Sequence, residues 1–113
     1  MKKADKKIEN SARKALAEVC ELALDEVAGF KWITHIANYS SFPDSLSVVC
    51  VFDTNSDLSN AYDTHNDDFL RSLIKEKLSN VGIHIKNIRQ HVNFDTEEAC
   101  QNENGGKWPE RFS

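Results

Sequence analysis

The segment 46–52, with the sequence LSVVCVF, constrains the fold more than any other part of the chain because it is apolar on both faces. Successive side chains of a strand point to opposite sides of the sheet. One face therefore carries Leu46, Val48, Cys50 and Phe52, and the other carries Val49 and Val51. The segment is rich in β-branched residues and contains no proline. It predicts a central strand that needs a covering layer on each face.

Hydrophobic periodicity on either side of this segment predicts the other elements. Apolar residues spaced by three and four predict a helix over 10–27, starting as early as Asp5, and a second helix over 67–80 with Asn66 as its N-cap. Alternation predicts strands over 31–39 and 88–94, with a change of phase near 86–87. Residues 53–66 are predicted to be a polar connector with one helical turn around 58–62.

The order α-β-β-α-β predicts an α+β two-layer sandwich with a small mixed three-stranded sheet and strand two in its centre. Residues 1–113 are the length of a single domain. We expect a frayed basic arm over 1–9, the α-β-β-α-β body over 10–95, and a short helix with a Trp/Phe tail over 96–113. The D-x-x-E spacing of Asp95 and Glu98 predicts a capping box for that short helix.

The charge of the chain is unevenly distributed. The net charge is −4, but residues 1–14 carry +4 and the remainder carries −8. An acidic body disfavours broad contact with a phosphate backbone. Three widely spaced cysteines without a C-x-x-C motif favour free thiols, and no apolar run is long enough to span a membrane. With no secretory signal either, we expect a soluble cytoplasmic protein that has no cofactor and does not bind a membrane.

Acidic side chains are concentrated after the central strand. The candidate metal ligands are Asp53, Asp57, Asp63, His65 and Asp67. Hard carboxylates with one imidazole could hold a divalent cation if this segment folded back on itself. The calcium-loop pattern is absent, because its sixth and twelfth positions are Leu58 and Thr64. A strand-ending turn and a helix cap explain the same residues. The pattern therefore supports the hypothesis of a metal-dependent enzyme, without indicating a substrate or a reaction.

Basic residues offer a second candidate site. The anion or nucleic-acid candidates are Lys2, Lys3, Lys6, Lys7 and Arg89. Over residues 10–95 the element order resembles a K-homology domain of the second topological type, which implies single-stranded nucleic acid as a ligand. The G-x-x-G clamp that such domains use is missing from this sequence. Nucleic-acid or regulatory binding through the basic arm is therefore an alternative function.

Two segments resemble other proteins in their amino-acid sequence: FKWITHIANYSSFPDSLSVVCVFDT and IRQHVNFDTEEACQNENGGKW. They are similar to a small family of uncharacterised bacterial proteins of about this length, some of which carry the label of Fis-type transcriptional regulators. That label implies a basic helix-turn-helix near the C-terminus. The C-terminal third of this chain is strand-like and then acidic, and the resemblance brings no site residues with it.

The second face of the central strand points to an association surface. Two helices can cover one face of a three-stranded sheet, which leaves Val49 and Val51 with strand-one residues on the other. The candidates for this surface are Trp32, Ile36, Val49, Val51, Trp108 and Phe112. Either the Trp/Phe tail covers the face or a partner does, and a symmetric homodimer is the simplest partner. The leading prediction is thus a non-catalytic module that oligomerises or binds another protein.

Overall fold

A computed structural model describes residues 3–113, which form five α-helices and three strands. The strands are β1 Phe30–Ile36, β2 Ser47–Phe52 and β3 Val92–Thr96. The helices are α1 Lys3–Glu26, α2 Asn55–Asp63, α3 Asn66–Asn80, α4 Glu97–Asn104 and α5 Trp108–Arg111. The predicted α+β class is confirmed, as is the mixed three-stranded sheet.

The sheet has the order β1-β2-β3, with β2 in the centre. β1 runs antiparallel to β2, with Ile33 opposite Cys50, and its register shifts between Phe30 and Trp32. β3 runs parallel to β2, with Cys50 opposite Phe94. A parallel neighbour requires a crossover connection, and α2 and α3 form it.

The main core lies between one face of this sheet and the helices α1 and α3. Helix α1 contributes Ala12, Leu16, Val19 and Ala23 at the predicted spacing, and β2 contributes Val48, Cys50 and Phe52. Leu70, Ile74 and Leu78 of α3 complete the layer without exposed surface. Burying a side chain of this size contributes about 1.5–3 kcal/mol, so this layer is the main source of stability.

The C-terminal segment covers the second face of the sheet. Val51 is flanked across the strands by Trp32 and Asp95. Trp108 packs edge-on against Trp32, with ring centroids 4.9 Å apart, and Arg111 binds Asp95. Helix α5 therefore crosses over Val51, which has no exposed surface. The tail supplies the second layer that the central strand requires.

Several element boundaries differ from the prediction. Helix α1 is already formed at Lys3, within the segment expected to be a frayed arm. Residues 55–63 form the full helix α2 because Thr54 and Asp57 make a reciprocal capping box. This box was missed because a polar surface helix shows little apolar periodicity.

The segment before β3 was also predicted incorrectly. Residues 88–90 form a 3-10 turn, and β3 begins only at Val92. Thr96, not Asp95, caps α4 by accepting the backbone N–H of Ala99 at 2.9 Å. Helix α3 follows His65, which adopts a left-handed conformation with φ 62°, so Asn66 is its first residue and not its cap.

Candidate interaction surface

The predicted association residues fall into two groups. Trp32, Trp108 and Phe112 form one aromatic cluster, in which the ring centroids of Trp108 and Phe112 are 5.3 Å apart. The carboxylate of Glu97 accepts both indole N–H groups of this cluster. We call these four residues the tail cluster. Because the tail cluster forms within one chain, most of the predicted association residues cover the chain's own sheet.

Ile36 and Val49 are predicted association residues of β1 and β2 that do not belong to the tail cluster. Val49 is buried with 7% of its surface exposed, whereas Ile36, at the end of β1, is 47% exposed. The outer face of the sheet is the face that points away from α1 and α3. On β1 it carries Trp32, Thr34 and Ile36, which lie opposite Val51, Val49 and Ser47 of β2. The part of the outer face that remains open is therefore the β1 side of the sheet.

A salt bridge holds the tail in place. The guanidinium of Arg111 donates from Nε to Asp95 at 2.6 Å and from Nη2 to the other carboxylate oxygen at 2.9 Å. Both side chains are about four-fifths buried. This pairing raises the pKa of Arg111 above its usual range. A bidentate pair of this kind fixes orientation as well as distance.

The acidic residues of segment 53–68 do not form a metal site. Asp57 caps α2, and Asp67 binds Arg71 at 2.7 Å. His65 Nδ1 lies 3.6 Å from Oδ2 of Asp68, which is not one of the five candidates. Within residues 3–113, no three His, Cys, Asp or Glu side chains converge in a way that could hold a metal ion.

The carboxyl ends of β2 and β3 lie side by side, where open α/β sheets commonly bind ligands. Here the space is closed by the chain itself. Thr96 donates its hydroxyl to Asn55 Oδ1 at 2.6 Å, and Glu98 accepts the backbone N–H of Asn55 at 2.9 Å. Glu98 also donates its own N–H to the carbonyl of Asp53. These contacts connect the starts of α2 and α4.

The basic candidates do not form one continuous site. Lys2 lies outside the described residues. Lys3, Lys6 and Lys7 are exposed on α1. Arg89 instead lies against α3, with its guanidinium 3.1 Å from Asp68. The salt bridge reduces the charge that Arg89 can offer to an anion.

The three cysteines are free thiols in interior or half-buried positions. Burial raises the pKa of Cys50 to about 12. Burial also raises the pKa of Cys100, where nearby Arg111 opposes the change. A nucleophilic thiol needs a lowered pKa and access to substrate, so neither residue is suited to that role.

The feature that sequence reasoning missed is the free edge of β1. Val48 donates its N–H to His91 on the β3 side, and Asp53 donates to Gly29 on the β1 side. The N–H and C=O groups of successive residues point to alternate sides of a strand. Those of Val49 and Val51 therefore point toward β1. Their partners there are Thr34 and Trp32, respectively. The N–H and C=O groups of Ile33 and His35 must then point away from β2. We call these outward groups the β1 edge.

A groove of about 540 Å³ lies along the β1 edge. Helix α1 forms its other wall, and the residues on that side include Arg13, Ala17, Cys20 and Glu21. Burial raises the pKa of the Cys20 thiol, while the backbone of Ile33, which faces it, has the opposite effect. The groove therefore combines a strand edge with a charged helix surface.

His35 lies where the two walls meet. Burial lowers its pKa, nearby Glu9 raises it and nearby Arg13 lowers it. Glu9 and Arg13 form an ion pair on α1, with Nη2 3.2 Å from Oε1. His35 is consequently favoured in its neutral form in the folded chain.

The opposite edge of the sheet is better protected. β3 has five residues, against seven in β1. By the same alternation Thr96 points outward from β3, but its N–H donates to the carboxylate of Asp95 at 2.8 Å. Since this N–H already has an acceptor, it is not available to an added strand. β1 therefore provides the more accessible edge.

Comparison of the chain with protein-family models, with curated proteins and with solved structures gave no match. Over residues 3–113, no helix is both long enough and apolar enough to cross a membrane.

Proposed function

We propose that this protein is a non-catalytic association module that binds an extended segment of a protein at the β1 edge. The observation that carries the proposal is the outward direction of the Ile33 and His35 backbone groups beside an open groove. An added strand would pair with these groups through main-chain hydrogen bonds, and the groove would accept alternate side chains.

Hydrogen bonding at Ile33 favours such an addition. In the single chain its backbone faces the thiol of Cys20. A thiol is a weak acceptor, whereas a carbonyl of an added strand would be a strong one. Four backbone bonds at about 0.5–1.5 kcal/mol each contribute at most about 6 kcal/mol, which gives a weak affinity for a short strand, with Kd on the order of 100 µM.

A matched pair of variants tests the proposal. Proline at position 35 removes an N–H that points away from β2, so His35→Pro should fold and yet lose the ability to accept a strand. His35→Val changes the same side chain and keeps the N–H. Both variants should show circular dichroism like that of the wild type.

Binding can be measured with a phage-displayed library of random extended peptides and by self-association in analytical ultracentrifugation. We expect wild type and His35→Val to bind peptides or a second copy, with amide shifts at residues 33–36, and His35→Pro to bind neither. The proposal fails if no displayed peptide and no second copy perturbs these amides. Equal binding by His35→Pro would also refute it.

A further inference from the structure

We propose that the segment bound at the β1 edge is β1 of a second copy, arranged antiparallel about a twofold axis near Thr34. This inference rests on the proposed function and names its partner. Two independent observations support it: the order of charges along α1 and the exposure of Ile36 beside the half-buried Trp32 on β1.

The charges on α1 are arranged unfavourably for an isolated helix. The basic residues of its first half are Lys3, Lys6, Lys7, Arg13 and Lys14, and the acidic residues of its second half are Glu18, Glu21, Asp25 and Glu26. A helix dipole favours the reverse order for charges near the helix ends. A twofold axis perpendicular to α1 places each basic half beside the acidic half of the other copy, which offsets this cost.

Contacts between α1 and β1 show which part of α1 is level with an axis at Thr34. Ile33 lies level with Cys20, whose thiol its backbone faces, and His35 lies near Arg13. A helix rises about 1.5 Å per residue and a strand about 3.3 Å. Thr34 is therefore level with Ala17, an exposed small residue that permits close approach.

Symmetry about Ala17 pairs Arg13 with Glu21. Glu9 comes opposite the second copy's Asp25, and in its own chain it is paired with Arg13. Arg13 and Glu21 lie four residues on either side of Ala17, and both line the groove. In the antiparallel arrangement Arg13 of one copy lies beside Glu21 of the other, and the pair occurs twice. Leu24, which is 55% exposed, lies seven residues after Ala17 and therefore on the same side of α1.

The same axis creates complementary pairs across the strands. With Thr34 opposite itself, Ile33 lies opposite the second copy's His35, so that the outward backbone groups of the two copies meet. On the outer face, the 47% exposed Ile36 lies opposite the second copy's half-buried Trp32. Aromatic and β-branched side chains directly across antiparallel strands stabilise the pairing. The pattern W-I-T-H-I is thus complementary to itself.

Charge reversal separates this arrangement from other modes of association. Arg13→Glu or Glu21→Arg places like charges opposite each other at two symmetric positions, and each should weaken the dimer by about tenfold or more in sedimentation equilibrium. The double variant Arg13→Glu/Glu21→Arg restores opposite charges and should recover most of the affinity. Thermal unfolding of each variant checks that the single chain still folds.

Cross-linking tests the axis itself. In a Cys20→Ser background, Ala17→Cys should form an intermolecular disulfide under mild oxidation, because position 17 faces itself across the axis. Leu22→Cys is the control, since Leu22 is 40% exposed on another side of α1. Efficient cross-linking at position 22 but not at 17 would overturn the arrangement.

The two proposals can fail separately. If displayed peptides bind at residues 33–36 while the chain stays monomeric at about 1 mM, a concentration at which a dimer of Kd near 100 µM would be populated, the edge binds strands and the second copy is not the partner. If the double charge variant is no tighter than the single variants, the antiparallel arrangement is wrong. If neither peptides nor copies associate, the proposed function fails as well.

Discussion

The salt bridge between Arg111 and Asp95 determines whether the tail stays on the sheet, and Arg111→Ala tests it. Truncation removes two bonds to Asp95, of 2.6 and 2.9 Å, and further bonds to Glu103, Asn104 and the carbonyl of Ala99. The Asp95 carboxylate, about four-fifths buried, is left without its cation. We therefore expect this variant to destabilise the whole chain.

The magnitude follows from the burial. Removing one partner of a fully buried pair costs about 3–5 kcal/mol. With about one-fifth of each side chain exposed, solvent recovers part of that cost, and we expect a loss of about 2–3 kcal/mol. For a domain near this size, the melting temperature should fall by about 8–15 °C.

Urea and thermal unfolding, followed by circular dichroism and tryptophan fluorescence, measure this loss. Both tryptophans of the chain, Trp32 and Trp108, lie in the tail cluster, so fluorescence reports directly on the tail. Lys107→Ala is the control, because its ion pair with Glu110 is exposed and 3.9 Å long. It should change stability by less than about 0.5 kcal/mol. If Arg111→Ala were no less stable than Lys107→Ala, the tail would not be held as described.

Two further perturbations test other parts of the fold. Gly29→Ala should lower the free energy of unfolding in urea more than Gly82→Ala does. Both positions have positive φ, 81° and 84°, so backbone strain is similar. Only at Gly29 would the added Cβ meet another side chain, that of Asp57 at 2.5 Å. Equal losses of unfolding free energy in the two variants would show that backbone strain, and not the contact with Asp57, causes the destabilisation. The pKa of His35 is lowered from 6.5 in the folded chain. Below about pH 6.5 the unfolded chain therefore binds more protons than the folded chain. The free energy of unfolding should fall as the pH is lowered from about 6.5 toward the pKa of His35 in the folded chain. His35→Gln should lose this part of the pH dependence, and an unchanged profile would contradict the assignment.

The amino-acid sequence determined the elements whose signals are local. The two-sided apolarity of residues 46–52 predicted a central strand with two covering layers, and periodicity located α1 and α3. Trp108 and Phe112, four residues apart around Pro109, predicted the apolar tail that the structure contains. These predictions succeeded because side-chain spacing within one element decides which face it buries.

Only the tertiary structure decided how the polar residues are used. Asp95 was predicted to cap α4, yet it binds Arg111, sixteen residues further along the chain. Thr96 caps that helix and also donates to Asn55, forty-one residues earlier. A carboxylate or hydroxyl can satisfy many partners, and its spacing in the sequence does not indicate which of them folding brings near.

The choice between tail and partner was likewise tertiary. The sequence showed that the face bearing Val51 needed a cover, and the packing of Trp108 on Trp32 shows that the chain provides it. The β1 edge became visible only when the strand order and the direction of each backbone group were known. Apolar spacing specifies the faces of a strand, whereas its edges are specified only by the strands that lie beside it, because hydrogen bonds between strands join residues distant in sequence.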